Sequence, residues 1–177
     1  MTVLAAGTKG AAEPAGGPAV AEEVVCEGVV SESELRALGR RIAATLRSGD
    51  LVLLEGPLGA GKTTLVREVA AALGVTDAVR SPSFTIANVY AGPLAVNHLD
   101  LSRMEEIADE DTLALEEYRS PDAVTLVEWP EAAGGRLGSP QWVIHLDHDT
   151  VTTRRFRAVA HGADVAGRWR EAGPCVR

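Results

Sequence analysis

Gly56-Pro57-Leu58-Gly59-Ala60-Gly61-Lys62-Thr63 fits the pattern G-x-x-x-x-G-K-[ST] and stands between two very different stretches. Before it comes the apolar run Leu51-Val52-Leu53-Leu54; after it, Thr64 to Leu73 carries apolar residues at helical spacing. Strand, glycine-rich loop and helix, in that order, form the setting in which this pattern cradles phosphate. The glycines let successive backbone N–H groups point inward, and the helix N-terminus adds about half a positive charge beside them. On this reading Gly59, Ala60, Gly61 and Thr64 line the cradle. Lys62 reaches the β and γ phosphates of a bound nucleotide, and the Thr63 hydroxyl ligates Mg²⁺. A glycine-rich turn with an exposed lysine would share the spacing, so the rest of the site has to be sought downstream.

The chain has 177 residues, long enough for one domain with a sizeable core, and 46% of them are apolar. Its formal net charge is −8 and its pI about 5.0, which argues against a nucleic-acid binder working alone. Any RNA is therefore expected to be held through a partner. Acids gather at Glu22, Glu23, Glu27, Glu32 and Glu34, whereas Arg154, Arg155, Arg157, Arg168, Arg170 and Arg177 crowd the C-terminal stretch. Such a basic stretch is a solvated face, or a docking or RNA-facing patch. Cys26 and Cys175 lie far apart and form no C-x-x-C pair, so the sequence suggests neither a disulfide framework nor a zinc site, and a reducing cytoplasm fits best. No stretch has the length of a membrane span, and the N-terminus lacks the pattern of a signal peptide.

Residues 1–21 are rich in Ala, Gly and Pro and are expected to form a disordered tail, followed by one domain over 22–171 and a short tail over 172–177. Val24 to Val30 suggests a first short strand. Ser31 with Glu34 makes a capping box for a helix through Leu35, Leu38, Ile42 and Leu46. After the phosphate-loop helix, the run to Tyr90 and the stretch Leu94 to Asp100 read as a hairpin broken at Gly92-Pro93. Ser102 to Tyr118 is acidic and helical in character. Ala123 to Val127 is a buried-type strand, two more strands lie around Trp142 to Leu146 and Arg155 to Ala160, and a helix closes the domain near Val165 to Glu171. The alternation predicts an α/β, three-layer P-loop NTPase-like fold: a mainly parallel central sheet with helices on both faces, and the nucleotide at the strands' carboxyl ends.

Two strands end in acids, Asp100 and Glu128, and parallel neighbours of the loop strand would deliver both to the cation. Glu128 follows four apolar strand residues, a Walker B-like position from which it would hold Mg²⁺ or polarise the attacking water. His98 shares a strand face with Asp100 and either acts with it on phosphate or partner contacts or is a satisfied core histidine. His145 and His148 flank Asp147 without a third ligand and read as a strand edge. Trp129 either stacks on a base or packs. Ser81-Pro82-Ser83-Phe84-Thr85 has the composition of a switch, with Ser81, Ser83 and Thr85 as hydroxyls for γ-phosphate or Mg²⁺.

Taken together, Gly56 to Thr64, Ser81 to Thr85, His-Leu-Asp-Leu at His98 to Leu101 and Val-Glu-Trp-Pro at Val127 to Pro130 resemble the TsaE family, also called YjeE, in order and spacing over roughly residues 24–160. The resemblance implies a small ATPase of tRNA threonylcarbamoyladenosine (t6A) biosynthesis that works with the TsaD and TsaB proteins on adenosine 37. It also implies that Lys62 and Thr63 serve phosphate and Mg²⁺, that Ser81 to Thr85 move, and that Asp100, Glu128 and Trp129 are functional. Pro57, Ser102 and Ala114 depart from the family's usual residues, and none of them removes a phosphate or metal group. Two other functions share the loop: a small-molecule kinase with Asp100 as base, and a nucleotide-dependent binding module that hardly turns over.

Overall fold

The structure, a computed structural model, describes residues 21–82, 85–104 and 115–175. Its described elements are, in order, β1 (Glu22–Ser31), α1 (Glu32–Thr45), β2 (Leu51–Glu55), α2 (Lys62–Ala72), β3 (Ala87–Tyr90), β4 (Ala95–Asp100), β5 (Ala123–Glu128), β6 (Trp142–His148), β7 (Thr153–His161) and α3 (Ala163–Glu171). Short 3-10 turns cover Leu115–Tyr118 and Pro130–Ala133. Most of the segment read as helical after Ser102, with Ala114 in it, lies outside the described residues, as do residues 1–20 of the expected tail.

The strands form one sheet in the order β1-β7-β6-β2-β5-β4-β3. Its centre is parallel, since β2 pairs in parallel with both β5 and β6, and β4 with β5. The edges run the other way. β3 pairs antiparallel with β4, β7 with β6, and β1 with β7. For β3–β4 and β6–β7 the reason is chain length: residues 91–94 and 149–152 are too few for a crossover and can only make hairpins. The first hairpin is as expected. The first strand is longer than expected, because all of Glu22–Ser31 finds partners along β7.

Side-chain alternation divides the core in two. Val52 and Leu54 of β2 point to a cluster with Leu38 and Ile42 of α1, Leu65 and Val69 of α2, and Trp169 of α3, so all three described α-helices cover one face. Leu51 instead joins Leu99, Val127, Leu101, Met104, Leu115 and Leu137 on the other face. Helix α1 starts where the sequence indicates: Glu34 Oε2 accepts from the Ser31 backbone N–H at 2.7 Å and the Ser31 hydroxyl accepts from the Glu34 N–H. Hydrogen bonding to Ser31 pulls the Glu34 carboxyl below its ordinary range. Arg168 of α3 donates to Asp50 Oδ2 at 2.7 Å and to the Thr45 carbonyl at 3.0 Å, fastening the last helix to the start of β2.

One reading needs correction. Cys26 and Cys175, 149 residues apart, form a disulfide with Cα atoms 5.6 Å apart. Sequence distance hid the pair because α3 carries the chain end back over β1, the edge strand that holds Cys26. The cysteines thus give no support to the reducing-compartment argument. Removing a native disulfide from a small domain typically costs about 2–5 kcal/mol. Cys175→Ser is expected to lower the urea midpoint of the full chain correspondingly. Equal midpoints with and without dithiothreitol would show that the bond contributes nothing. No helix among the described residues is long and apolar enough to cross a membrane.

Candidate nucleotide and cation site

The glycine-rich loop leaves the end of β2 and enters α2, and its shape requires its glycines. Gly56, Gly59 and Gly61 have φ of 133°, 77° and 107°. A Cβ at Gly56 would also run into the Leu146 carbonyl, and one at Gly61 would lie 2.9 Å from Leu35 Cδ2. Ala60 is fully buried and its N–H donates to the Pro57 carbonyl at 3.2 Å. Gly59, Gly61 and Thr64 face a cleft of about 490 Å³ between the start of α1 and the β6–β7 turn.

Lys62 folds back along this loop. Its ammonium donates to the carbonyls of Gly56 at 2.5 Å and Pro57 at 3.0 Å, and lies 3.9 Å from the centre of the Trp129 ring. Burial lowers its pKa, while the carboxylates of Glu128, Asp100 and Glu131 act in the opposite direction. The Thr63 hydroxyl sits against both oxygens of Glu128, at 2.8 and 3.1 Å.

Sheet order decides how the acids arrive. β5 lies directly beside β2, with Glu128 opposite Leu54. β4 is one strand further out, so Asp100 is not delivered by a neighbour of the loop strand, as the sequence suggested. It reaches the site by standing opposite Glu128. Both acids are buried, with exposures of 5% for Asp100 and 3% for Glu128. Asp100 accepts from the Ser81 hydroxyl at 2.7 Å and from the Ser102 N–H at 3.1 Å. Glu128 faces His98 Nε2 at 2.9 Å.

Ser81 therefore joins the switch-like segment to the acids, and Thr85 does not. The Thr85 hydroxyl makes local contacts with the Pro82 carbonyl at 3.5 Å and Asn88 Oδ1 at 3.3 Å. Ser83 and Phe84 lie outside the described residues. The segment is anchored at its start by Tyr90, whose hydroxyl donates to the Arg80 carbonyl at 3.2 Å. Ile86, at its end, has a φ of 67°. Trp129 likewise sits in the left-handed region, with φ 58° and ψ 50°. For residues other than glycine this conformation costs on the order of 1–3 kcal/mol. In Trp129 it turns the chain sharply after Glu128 and lays the indole over Lys62.

His145 forms a cross-strand pair with Glu55 at 2.9 Å, as befits a strand-edge residue. His148 Nε2 lies 3.1 Å from the Leu58 carbonyl, so the β6–β7 turn supports the glycine-rich loop, a contact the sequence did not suggest. Among the described residues no group of three or more His, Cys, Asp or Glu side chains forms a metal cluster. Thr63 with Glu128 and Asp100 instead offers one hydroxyl and two carboxylates, a set suited to Mg²⁺, which is held by few protein ligands together with phosphate and water.

The family model for "Threonylcarbamoyl adenosine biosynthesis protein TsaE" matches residues 29–156, spanning every one of these groups. The chain belongs to the TsaE family. A TsaE protein of Streptomyces coelicolor is 44% identical over 135 residues, 73% of this chain and 84% of that protein. The TsaE protein of Mycobacterium leprae is 37% identical over 133 residues, covering 70% of this chain and 78% of its own length. Among solved structures, YdiB of Bacillus subtilis superposes with a TM-score of 0.69 at 30% identity, over 86% of this chain and 95% of that one. The TsaE match thus includes the loop, both acids and Trp129, while α3 and Cys175 fall outside its limits.

Proposed function

We propose that this TsaE-family chain is an ATPase that acts in t6A modification of tRNA, in the cytoplasm, with its turnover gated by TsaD and TsaB. The observation that carries the reading is the Thr63–Glu128 contact, with Asp100 on the next strand and Lys62 alongside. A hydroxyl, two carboxylates and an ammonium at the mouth of one loop support a cation and a phosphate bound there together. The loop amides and Lys62 bind the triphosphate, and the cleft beside Gly59, Thr64, Leu35 and Thr152 has room for the nucleoside. Thr63, Glu128 and Asp100 would hold Mg²⁺, which supplies charge neutralisation for the departing diphosphate. Glu128 orients the attacking water, and Ser81 links Asp100 to the segment that responds to the γ-phosphate.

The chain is acidic overall, so tRNA is expected to be held through the partners. The backbone of Arg80 is pinned by Tyr90 and its side chain is exposed, which leaves the site open to a partner's cation. Turnover is therefore expected to be slow for the chain alone and to rise at least about 10-fold with TsaD and TsaB, by the logic of a transition-state cation supplied in trans. ADP release measured with and without the partners, together with multi-turnover t6A formation, tests this. Partner-independent binding without ADP release would make the chain a binding module. Stoichiometric phosphorylation of a small acceptor would make it a kinase.

A further inference from the structure

His98 stands inside the site, against the Glu128 carboxylate. It lies on β4 two residues before Asp100, on the face turned to α2, and is fully buried. Its ring has one hydrogen-bond contact, Nε2 to Glu128 Oε1 at 2.9 Å, while Nδ1 has no hydrogen-bond partner among the described residues. A carboxylate only accepts, so the nitrogen facing it carries the proton. His98 is thus an Nε2–H donor aimed at one oxygen of Glu128.

The asymmetry of that contact gives it a use. Thr63 lies at 2.8 Å from one Glu128 oxygen and 3.1 Å from the other, so its hydroxyl alone does little to fix the rotation of the carboxylate plane. The bond from His98 reaches Oε1 only and breaks this near-equivalence. We propose that His98 is a positioning residue: its Nε2–H locks the Glu128 carboxylate so that Oε2 is presented to the cation and the attacking water. This rests on the ATPase reading above. A histidine present only to fill the core would be replaceable by an apolar side chain of similar size, and its loss would act through stability and not through Glu128.

The test has two arms on the full-length chain. Long-range ¹H–¹⁵N spectra of the imidazoles, recorded without nucleotide, are expected to show His98 as the Nε2–H tautomer with a resonance that moves in Glu128→Gln. The Nδ1–H tautomer, or an unmoved resonance, would overturn the proposal. In the partner-complete assay, His98→Leu is expected to lower kcat about 10–100-fold, the usual effect of losing an outer-sphere hydrogen bond to a metal-site ligand. KM for ATP should change less than about 3-fold, because the loop and Lys62 are untouched, and His98→Gln, which keeps a donor, should recover part of the loss. In a Glu128→Gln background the Leu substitution should add less than about 2-fold. Equal losses in both backgrounds, or full activity for His98→Leu, would sink the positioning role. Should His98→Leu fail to fold, the spectra and His98→Gln still decide. Failure of the underlying reading is recognised separately, as wild-type turnover that does not depend on Lys62.

Discussion

Lys62→Ala is expected to reduce ATP turnover by at least about 10²-fold, with partners present, and to abolish multi-turnover t6A formation. Removing a single preorganised donor from developing charge costs about 10²–10³ in rate, and here the lost group is a full cation. Its surroundings explain why nothing nearby can substitute. Lys62 is buried at 4% exposure; its ammonium contacts the Gly56 and Pro57 carbonyls and the Trp129 face, and the carboxylates of Glu128 and Asp100 act on it by charge alone. Alanine leaves those negative groups facing the phosphates unopposed, so nucleotide affinity should fall with turnover. Competition against a fluorescent ATP analogue and ADP release, both on a variant shown by its melting curve to be folded, check the two effects. Unchanged turnover would remove the loop from the mechanism.

Glu128→Gln should separate binding from chemistry. The amide keeps the shape and one acceptor for Thr63, while Lys62 and the loop amides are untouched, so ATP is expected to stay bound within about 3-fold of wild type. Hydrolysis should nonetheless fall about 10²-fold or more, because the carboxylate we propose to orient and polarise water loses its charge. Asp100→Asn provides the contrast. Asp100 sits opposite Glu128 and is tied to Ser81, so its neutralisation should show mainly as a higher Mg²⁺ requirement. Single-turnover ADP formation at varied Mg²⁺ distinguishes the two variants. Normal hydrolysis by both would show that the acids do not hold the cation.

Much of this arrangement was legible before any fold was known, for reasons that are local. The Gly56–Thr63 stretch carries its own strand and helix, because apolar runs and glycine placement act over a few residues. Asp100 and Glu128 were visible as acids that end strands. The Ser31–Glu34 cap is likewise a contact three residues long. Thr85 shows the limit: the composition of its segment suited a switch, yet its hydroxyl turns to Pro82 and Asn88. Trp129 was readable as a packing or stacking residue, but its place over Lys62 depends on its own left-handed backbone.

What the sequence by itself determined was the glycine-rich loop with its lysine and threonine, the α/β alternation and the family. Which groups meet was decided only by the tertiary structure. The order β2-β5-β4 puts Glu128 beside the loop and Asp100 beside Glu128 and turns His98 toward the carboxylate. At the other edge of the sheet, α3 brings Cys175 back over β1 to Cys26 across 149 residues. Strand order and chain return are set by burial of side chains distant in sequence, which no local pattern of spacing records.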